Sequence, residues 1–261
     1  MLDKICAAVR AAGEIVLSAE TYCGDGIQKS GDGNYVTEYD VRVQNCLRGA
    51  LAAICPGAAF CGEENGEQGE GELVWIVDPI DGTSNFIHGT GMCAVSVALS
   101  RPAENRSELA AVYNPYTDEL YTASRGGGAF LNGKRLAVSA RDYEHALIGF
   151  GTTPYDRAFA GATFALVSNA FARALDVRRS GSAALDLAYV AAGRLDGFFE
   201  MTLQPWDYAA GALLVAEAGG TVTRFRGAPP DLKRPSSILA GNGEVYAALR
   251  AIAAPYADGV Y

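Results

Sequence analysis

The segment that decides the fold reads WIVDPIDGTSNF and spans residues 75–86. The apolar run at residues 73–77 is typical of a short strand that is buried on both faces. Asp78 follows directly, and Pro79 biases it toward an extended conformation while offering no N–H group of its own. Asp81 then begins a turn dipeptide with glycine. We therefore predict a buried strand, a tight turn and a helix, with two carboxylates at their junction.

The spacing of Asp78 and Asp81 suits a hard divalent cation. Mg²⁺ prefers carboxylate oxygens, water and substrate phosphate as ligands. Asp78 is placed to bridge two ions, while Asp81 and the carbonyl group of Ile80 each serve one of them. Thr83 and Ser84 are expected to cap the following helix, whose first N–H groups can face an anion. The pattern predicts a site for metal and phosphate.

A plainer interpretation exists for the same residues. An aspartate at a strand end, followed by an Asx turn, is the commoner origin of two aspartates spaced three apart. This interpretation must also explain Glu63 and Glu64, which end a second apolar run at residues 58–61. Acidic side chains at the ends of two separate strands favour the metal and phosphate site.

The segment at residues 75–86 resembles the first signature of the inositol monophosphatase family, W-x-V/I-D-P-I/L-D-G-T-x-N-F. Residues 62–64 resemble the G-E-E motif of that family, and residues 206–211 resemble its second signature, W-D-x-A-x-G. Residues 179–186 look like the bacterial inositol-1-monophosphatase-like branch. The motifs occur in the order of the family, so the resemblance covers essentially the whole chain.

The resemblance implies an α+β fold, the layered αβαβα sandwich of the sugar and inositol phosphatase type. Hairpin-like strands at residues 93–138, followed by alternating strands and helices, independently suggest two subdomains with a boundary near residue 140. We expect residues 1–140 to carry most of the metal ligands. Residues 141–261 are expected to carry Asp207 and the residues that determine substrate specificity.

The element boundaries follow from hydrophobic periodicity and from capping or turn residues. Glycines predict turns at residues 24–33, and a run rich in Glu and Gly predicts a mobile loop at residues 62–72. The predicted helices cover residues 2–20, 37–54, 155–173, 182–192 and 207–218. The predicted strands of the two halves cover residues 93–99, 109–113, 119–123, 146–151, 197–201 and 221–225, with a hairpin at Asn132-Gly133.

By resemblance, five residues would hold two or three Mg²⁺ ions: Glu63, Asp78, Ile80 through its carbonyl group, Asp81 and Asp207. Thr83 and Glu63 would orient the attacking water, and Asp40 would polarise Thr83. Asp40 also has a local explanation, because residues 37–40 form a capping box that opens a helix. Both roles can coexist.

Further residues would contact the substrate by the same resemblance. The N–H groups of Gly82 and Thr83 would take phosphate oxygens, and the other substrate residues would be Gly181, Ser182, Ala183, Glu200 and Asp207. Alternatives remain open for several of them. Glu200 is also explained as a strand end, Asp207 as an acidic residue at a helix start, and the small residues at 181–183 as close helix packing or a subunit contact. Arg179 serves either this site or a dimer interface.

The resulting prediction is a Mg²⁺-dependent, lithium-sensitive phosphomonoesterase. It would hydrolyse inositol 1-phosphate, or a related polyol or sugar monophosphate, through a metal-activated water. The chain contains only two histidines, His88 and His145, and neither lies near a Ser or Cys motif, which disfavours a covalent nucleophile. Alternatives are a fructose-1,6-bisphosphatase, a 3′-phosphoadenosine 5′-phosphate phosphatase, or a transcription-complex interaction factor. A homodimer is expected.

Composition limits the partners and the compartment. The net charge of −9 disfavours direct binding to nucleic acid or to an anionic membrane. The six cysteines show no metal-binding spacing and lie mostly in apolar patterns, which predicts buried, reduced thiols and a cytoplasmic protein. The N-terminal residues lack the apolar core of a signal peptide, and no apolar run approaches the roughly 18 residues of a membrane span.

Overall fold

A computed structural model describes residues 1–19, 27–28, 35–64, 69 and 71–257. The four glycines on which the turns at residues 24–33 were predicted, and part of the predicted loop at residues 62–72, lie outside the described residues. The α-helices of the described part are α1 Leu2–Leu17, α2 Glu38–Ile54, α3 Thr83–Ile87, α4 Ala160–Phe171, α5 Ala183–Ala191, α6 Pro205–Glu217 and α7 Gly243–Ala253.

The strands form a large sheet, a small sheet and a short separate pair. The pair is β1 Ile27–Gln28 with β2 Tyr35–Val36, and the large sheet has the order β3-β4-β5-β6-β7-β8-β9. Its strands are β3 Ala59–Gly62, β4 Val74–Asp81, β5 Ala94–Arg101, β6 Arg106–Asn114, β7 Glu119–Ser124, β8 Gly128–Leu131 and β9 Lys134–Arg135. The small sheet contains β10 Leu147–Phe150, β11 Asp176–Arg178, β12 Gly197–Leu203, β13 Thr221–Thr223 and β14 Ser236–Gly241, in the order β11-β10-β12-β14-β13.

Strand β4 confirms a buried strand in the deciding segment but corrects where it ends. All eight of its residues are buried, and the strand continues through Asp78 to Asp81. Asp78 faces Ser96 of β5, whereas Asp81 faces Ala94, so three steps along β4 match two along β5. Pro79 cannot donate a ladder hydrogen bond, and the resulting bulge absorbs the extra residue. The bulge places both aspartates at the same end of the sheet.

Five layers stack in the order helix, sheet, helix, sheet, helix. Helices α1 and α2 pack with one face of the large sheet in a single apolar cluster. Helices α5 and α6 lie between the two sheets and share a cluster with both. Helices α4 and α7 cover the outer face of the small sheet. The predicted α+β fold, a layered αβαβα sandwich, is therefore confirmed.

Several elements of the C-terminal half differ from the sequence predictions. Helix α4 is shorter than residues 155–173, because Asp156 caps a separate 3-10 turn at Arg157–Phe159. Strands β11 and β14 and helix α7 were not predicted. Strand β11 has only three residues, none of them fully buried. Helix α7 did carry a readable pattern, since Asn242 caps it and Val245, Leu249 and Ala253 are its buried residues.

The cysteines are less buried than predicted. Five lie within the described residues and all are free, but only Cys93 is buried while Cys6, Cys46, Cys55 and Cys61 are partly exposed. Apolar residues near these cysteines in the sequence, such as Val9, Leu47 and Leu51, are the ones buried in the core. Among the helices of the described part, none has the length and apolar character that crossing a membrane requires. The subdomain boundary near residue 140 remains a prediction.

Candidate active site

A cleft lies where both halves of the chain meet. Its walls come from the end of β4, the starts of α3, α5 and α6, strand β12 and the loop after β10. The described residues that line it are Glu63, Asp78, Ile80, Asp81, Gly82, Thr83, Ser84, Gly151, Pro154, Tyr155, Arg179, Gly181, Ser182, Ala183, Asp186, Glu200, Leu203 and Asp207. Except for Asp40, which lies behind Thr83, every predicted site residue lines this cleft.

Three of the predicted ligands converge closely. Asp78, Asp81 and Asp207 each offer a carboxylate oxygen, and these three oxygens lie within 4.8 Å of one another. Their exposed fractions are only 2%, 8% and 8%. Glu63 lines the same cleft and is partly exposed, but it does not belong to this closest group. Ile80, the remaining predicted ligand, lies on β4 between Asp78 and Asp81 and is also buried.

The buried carboxylates of the cleft repel one another and favour neutralisation by protons or by a cation. Burial is the main cause that raises the pKa of Asp78 well above its usual value, and the charges of Glu63 and Asp81 add to it. Burial also raises the pKa of Asp81 to about 6. The pKa of Asp207 is raised well above its ordinary value by burial and then by Asp81. Buried like charges of this kind are stable only when neutralised by protons or metal.

Hydrogen bonds fix two of the carboxylates and leave the third available. Asp81 Oδ2 accepts bonds from Ser182 Oγ and from the N–H of Ala184, the latter at 2.7 Å. Asp207 Oδ2 accepts the N–H of Gln204 at 2.7 Å. Asp78 Oδ1 is buried and has no hydrogen-bond partner among the described residues. An orphaned carboxylate oxygen inside an oxygen-only donor set fits a hard divalent cation such as Mg²⁺.

Acidification is expected to stabilise the metal-free protein. The pKa of Asp81 rises from 3.8 to about 6 on folding, so between these values the folded state binds more protons than the unfolded state. The free energy of unfolding therefore falls as the pH rises through this window. Asp78 and Asp207 shift in the same direction and extend the fall to higher pH.

Thermal denaturation in chelator at about pH 5 and about pH 7 measures this effect, with the higher midpoint expected at the lower pH. Mg²⁺ at one hundred times its Kd should add about 2.7 kcal/mol at neutral pH and reduce the difference. Asp81→Asn should flatten the pH dependence. A neutral-pH midpoint that Mg²⁺ leaves unchanged would refute metal binding by this cluster.

Thr83 begins α3 and contacts Asp40. Thr83 Oγ1 lies 3.2 Å from Asp40 Oδ1 and 3.1 Å from the carbonyl oxygen of Ile80. The fully buried Asp40 also accepts the N–H of Thr37 at 2.7 Å and its hydroxyl group at 2.6 Å. Thr37 Oγ1 in turn accepts the N–H of Asp40, which confirms the capping box. The same carboxylate thus stabilises α2 and contacts Thr83.

Gly82, rather than Thr83 or Ser84, occupies the N-cap position of α3. Its φ of 92° lies in the left-handed region, which glycine adopts without strain. A Cβ atom here would lie 3.0 Å from the carbonyl oxygen of Met92 and 3.2 Å from that of Gly181. The predicted capping role of Thr83 and Ser84 was therefore wrong, because the tight turn needs a residue that has no side chain.

Helix α6 begins two residues earlier than predicted. Pro205 is its first residue, and Asp207 is the third. Proline suits the first helical position because the missing N–H has no partner there in any helix. Asp207 consequently does not open the helix. It lies within the first turn, where its carboxylate accepts the N–H of Gln204. A carboxylate oxygen of Asp207 also lies within 4.8 Å of those of Asp78 and Asp81.

The opposite wall carries the predicted substrate residues. Ser182 caps α5, with Gly181 before it in the left-handed region at φ 93° and Ala183 as the first helical residue. Glu200 of β12 is buried and accepts the N–H of Thr153 at 2.8 Å. Burial raises the pKa of Glu200 to about 7.

Sequence reasoning missed two residues beside Glu200. Asp186 is buried on the cleft wall, accepts the hydroxyl group of Ser180 at 2.6 Å and has a pKa raised by burial. A lone acid inside the apolar run of α5 was the available signal. Thr153 is fully buried with φ at 44°, a conformation that β-branched residues rarely adopt. No sequence signal marked Thr153.

The five layers and the buried carboxylates in the cleft fit a metal-dependent phosphatase. The chain belongs to the inositol monophosphatase family, whose model matches residues 1–256. It is 46% identical to the inositol-1-monophosphatase of Rhizobium meliloti (strain 1021) over 229 residues, which cover 87% of this chain and 85% of that relative.

Two further comparisons agree over nearly the full length. Nus factor SuhB of Escherichia coli (strain K12) is 42% identical over 258 residues, covering 96% of this chain and 94% of the relative. The solved structure of inositol monophosphatase from Anabaena (Nostoc) sp. PCC 7120 superposes with a TM-score of 0.84 at 32% identity, covering 96% of this chain and 94% of that one.

Proposed function

We propose that this phosphatase hydrolyses inositol 1-phosphate, or a related polyol or sugar monophosphate, to alcohol and phosphate with Mg²⁺. The observation that carries the proposal is the buried group of Asp78, Asp81 and Asp207, in which one oxygen of Asp78 has no hydrogen-bond partner within the part of the chain that the structure describes. The test is a phosphate-release screen over a panel of monoesters with Mg²⁺. Fructose 1,6-bisphosphate and 3′-phosphoadenosine 5′-phosphate belong in the panel, as the substrates of the alternative activities.

We assign the metal ligands to Glu63, Asp78, the Ile80 carbonyl group, Asp81 and Asp207. These residues would hold two or three Mg²⁺ ions, whose chemistry there would be activation of a water and neutralisation of charge on the phosphate and the leaving oxygen. The hydrogen bonds of Ser182 and Ala184 hold Asp81 in place, and that of Gln204 holds Asp207. Oxygen-only ligands favour hard cations over softer metals. We further expect Li⁺ to inhibit phosphate release in the same assay.

We assign the positioning of the attacking water to Thr83 and Glu63. Asp40 holds the Thr83 hydroxyl group through the 3.2 Å contact and would polarise it. The N–H groups of Gly82 and Thr83 would bind phosphate oxygens. Phosphoryl transfer passes through a loose, charge-rich transition state, so positioning and electrostatics suffice without a covalent nucleophile.

We assign recognition of the leaving group to Gly181, Ser182, Ala183, Glu200 and Asp207. The small residues at the start of α5 leave room for a polyol ring beside the carboxylates. Glu200 faces the cleft from β12, where a Cβ atom on Gly151 would overlap its carboxylate. A carboxylate in this position can accept hydrogen bonds from ring hydroxyl groups.

Glu200→Gln should change substrate preference more than chemistry. We expect kcat/KM for inositol 1-phosphate to fall at least tenfold further than kcat/KM for p-nitrophenyl phosphate, which has no ring hydroxyl groups. A hydrogen bond to a charged group is worth about 1.5–3 kcal/mol, which supports a gap of this size. Glu144→Gln neutralises an exposed glutamate outside the cleft and serves as the control. Equal losses on both substrates would place Glu200 in the metal shell or in the fold.

We propose that the protein is a cytoplasmic homodimer. The described cysteines are free thiols, as expected in a reducing compartment. Helix α4 contains no charged residue, and Phe164 and Phe171 lie seven residues apart, on one face. These two and the nearby Leu175 are exposed by 57%, 55% and 63%. Exposed apolar side chains grouped in this way favour an interface between copies.

Light scattering measures the oligomeric state directly. We expect the mass of two chains for the wild type and of one chain after the double change Phe164→Glu and Phe171→Glu. Each buried glutamate would place a charge in an apolar interface. Tyr116→Glu, at an exposed aromatic residue on the large-sheet side, should leave the dimer intact. A single-chain mass for the wild type would end this proposal.

A role in a transcription complex is the second candidate. It is favoured by the 42% identity to a relative named Nus factor SuhB, which extends over nearly the whole chain. The acidic balance of −9 favours protein contacts over direct binding of nucleic acid. A pull-down from the native host with wild type and Asp81→Asn separates the two roles. Transcription proteins retained by both baits would support this second function, and their absence from both would reject it.

A further inference from the structure

Asp186 is a buried acid of the cleft wall to which the proposed reaction assigns no role. It lies in the first turn of α5, and only 2% of it is exposed. Among the described residues, the closest group of carboxylates consists of Asp78, Asp81 and Asp207 and does not include it. A buried carboxyl group is costly unless it accepts hydrogen bonds. The hydrogen bonds of Asp186 therefore indicate what this residue does.

Ser180 connects Asp186 to the start of α5. The Ser180 hydroxyl group donates to Asp186 Oδ2 at 2.6 Å, a length typical of strong hydrogen bonds to carboxylates. The carbonyl oxygen of Ser182 lies farther away, at 3.1 Å, so the single hydroxyl proton goes to Asp186. Ser180 Oγ also accepts the N–H of Ser182 at 3.0 Å. Asp186 thus fixes the backbone at Ser182 through the side chain of Ser180.

Ser182 in turn binds the proposed metal ligand Asp81. Its hydroxyl group donates to Asp81 Oδ2, and the N–H of Ala184 donates to the same oxygen at 2.7 Å. Both donors belong to the start of α5, whereas Asp81 is the last residue of β4. The direction in which the Asp81 carboxylate faces the cleft therefore depends on where Ser182 and Ala184 lie.

The chain between Ser180 and Ser182 is held from two sides. Asn85 of α3 donates to the carbonyl oxygen of Ser180 at 2.9 Å. Gly181 has a φ of 93°, and a Cβ atom there would come within 2.9 Å of Asn85 Nδ2. Asn85 thus holds the backbone of this segment, and Asp186 holds the Ser180 side chain. Loss of either contact would free the segment on one side.

We propose that Asp186 is a positioning residue for the metal centre, which orients the Asp81 carboxylate through Ser180 and Ser182. Asp186 acts here as a hydrogen-bond acceptor and not as a metal ligand. Partners that orient a metal-binding side chain typically contribute roughly 10–100-fold to metal affinity. The inference rests on the metal site of the proposed function and adds a residue outside the ligand set that controls the affinity of this site.

Calorimetric titration of the full chain with Mg²⁺ near neutral pH tests the proposal. Ser180→Ala and Asp186→Leu should each raise the Kd for Mg²⁺ at least tenfold, because each interrupts the hydrogen bonds that lead to Asp81. Their double variant should bind no more than threefold more weakly than either single variant, because both residues act through the same contacts. Ser18→Ala, at an exposed position after α1, is the control and should leave the Kd unchanged.

Asp186→Asn separates hydrogen bonding from charge. Its amide oxygen can still accept the Ser180 hydroxyl group, and burial raises the pKa of Asp186, which favours the neutral form in the wild type as well. We therefore expect the Kd of Asp186→Asn to stay within threefold of the wild type. An affinity loss as large as that of Asp186→Leu would show that Asp186 acts through its charge and would overturn the inference.

Two further results would also overturn it: a Kd of Ser180→Ala within threefold of the wild type, or losses that multiply in the double variant. Thermal midpoints in chelator identify a variant that fails to fold, and Ser180→Ala and Asp186→Asn still decide the question if Asp186→Leu does not fold.

Phosphate release by the same variants distinguishes this inference from the proposed function. The expected pattern of Mg²⁺ affinities without turnover of any monoester would retain the role of Asp186 and reject the phosphatase. Mg²⁺-dependent turnover with equal Mg²⁺ affinities in all variants would retain the phosphatase and reject the role of Asp186. A wild type that binds no Mg²⁺ would reject both.

Discussion

Asp81→Asn and Asp207→Asn should each lower phosphate release at saturating Mg²⁺ by at least a hundredfold. Each change removes one charge from a group of three carboxylates whose oxygens lie within 4.8 Å of one another. The ions that neutralise the transition state would then bind weakly or out of place. A hundredfold loss corresponds to about 2.7 kcal/mol of barrier, which is modest for a lost metal ligand. Initial rates on inositol 1-phosphate measure the effect.

The fold should survive both substitutions. Removing a buried charge relieves repulsion among the carboxylates, so the metal-free variants are expected to unfold at an equal or higher temperature than the wild type. Asp3→Asn, at an exposed position in α1, is the matched control and should leave the rate unchanged. A variant that keeps more than a tenth of the wild-type rate would remove its residue from the metal site.

Thr83→Val should lower kcat at least a hundredfold while preserving the fold. Valine keeps the shape of the side chain and removes the hydroxyl group that lies 3.2 Å from Asp40. Groups that position or transfer a proton typically contribute 10²–10⁴ in rate. Asp40 keeps its bonds to Thr37, so α2 remains capped. The measurement is kcat on inositol 1-phosphate at saturating substrate and Mg²⁺.

Thr83→Ser provides the control for this prediction, because serine retains the hydroxyl group and loses only a methyl group. We expect its kcat to stay within tenfold of the wild type. A Thr83→Val enzyme with near wild-type kcat would show that the hydroxyl group does not act on the water. In that case the contact with Asp40 would have only a structural role.

The sequence of residues 75–86 predicted the buried strand and the turn correctly, because both depend on neighbouring residues alone. An apolar run followed by Asp78, Pro79 and Asp81 specifies a buried strand and a turn from short-range rules alone. The bulge that prolongs β4 depends on its register with β5, which no local pattern contains. Sequence reasoning therefore placed the end of the strand wrongly. It also assigned the cap of α3 to Thr83 and Ser84 instead of Gly82.

Only the resemblance to the inositol monophosphatase family predicted that Asp207 lies close to Asp81. Asp207 follows Asp81 by more than a hundred residues, and an aspartate in the first turn of a helix is common in any protein. Only the packing of α5 and α6 between the two sheets brings it beside the end of β4. The position of Arg179 on the cleft wall likewise depends on where Gly181 and Thr152 lie, and the sequence alone left its role open.

Phosphate release from inositol 1-phosphate by chelator-treated protein, with Mg²⁺ added back stepwise, tests the central claim most directly. If Asp78, Asp81 and Asp207 hold the metal, turnover should vanish in excess chelator and return with a saturable dependence on Mg²⁺. The Asp207→Asn variant should fail to recover at the same concentrations. Full turnover in excess chelator, or recovery of Asp207→Asn to the wild-type rate, would contradict the account.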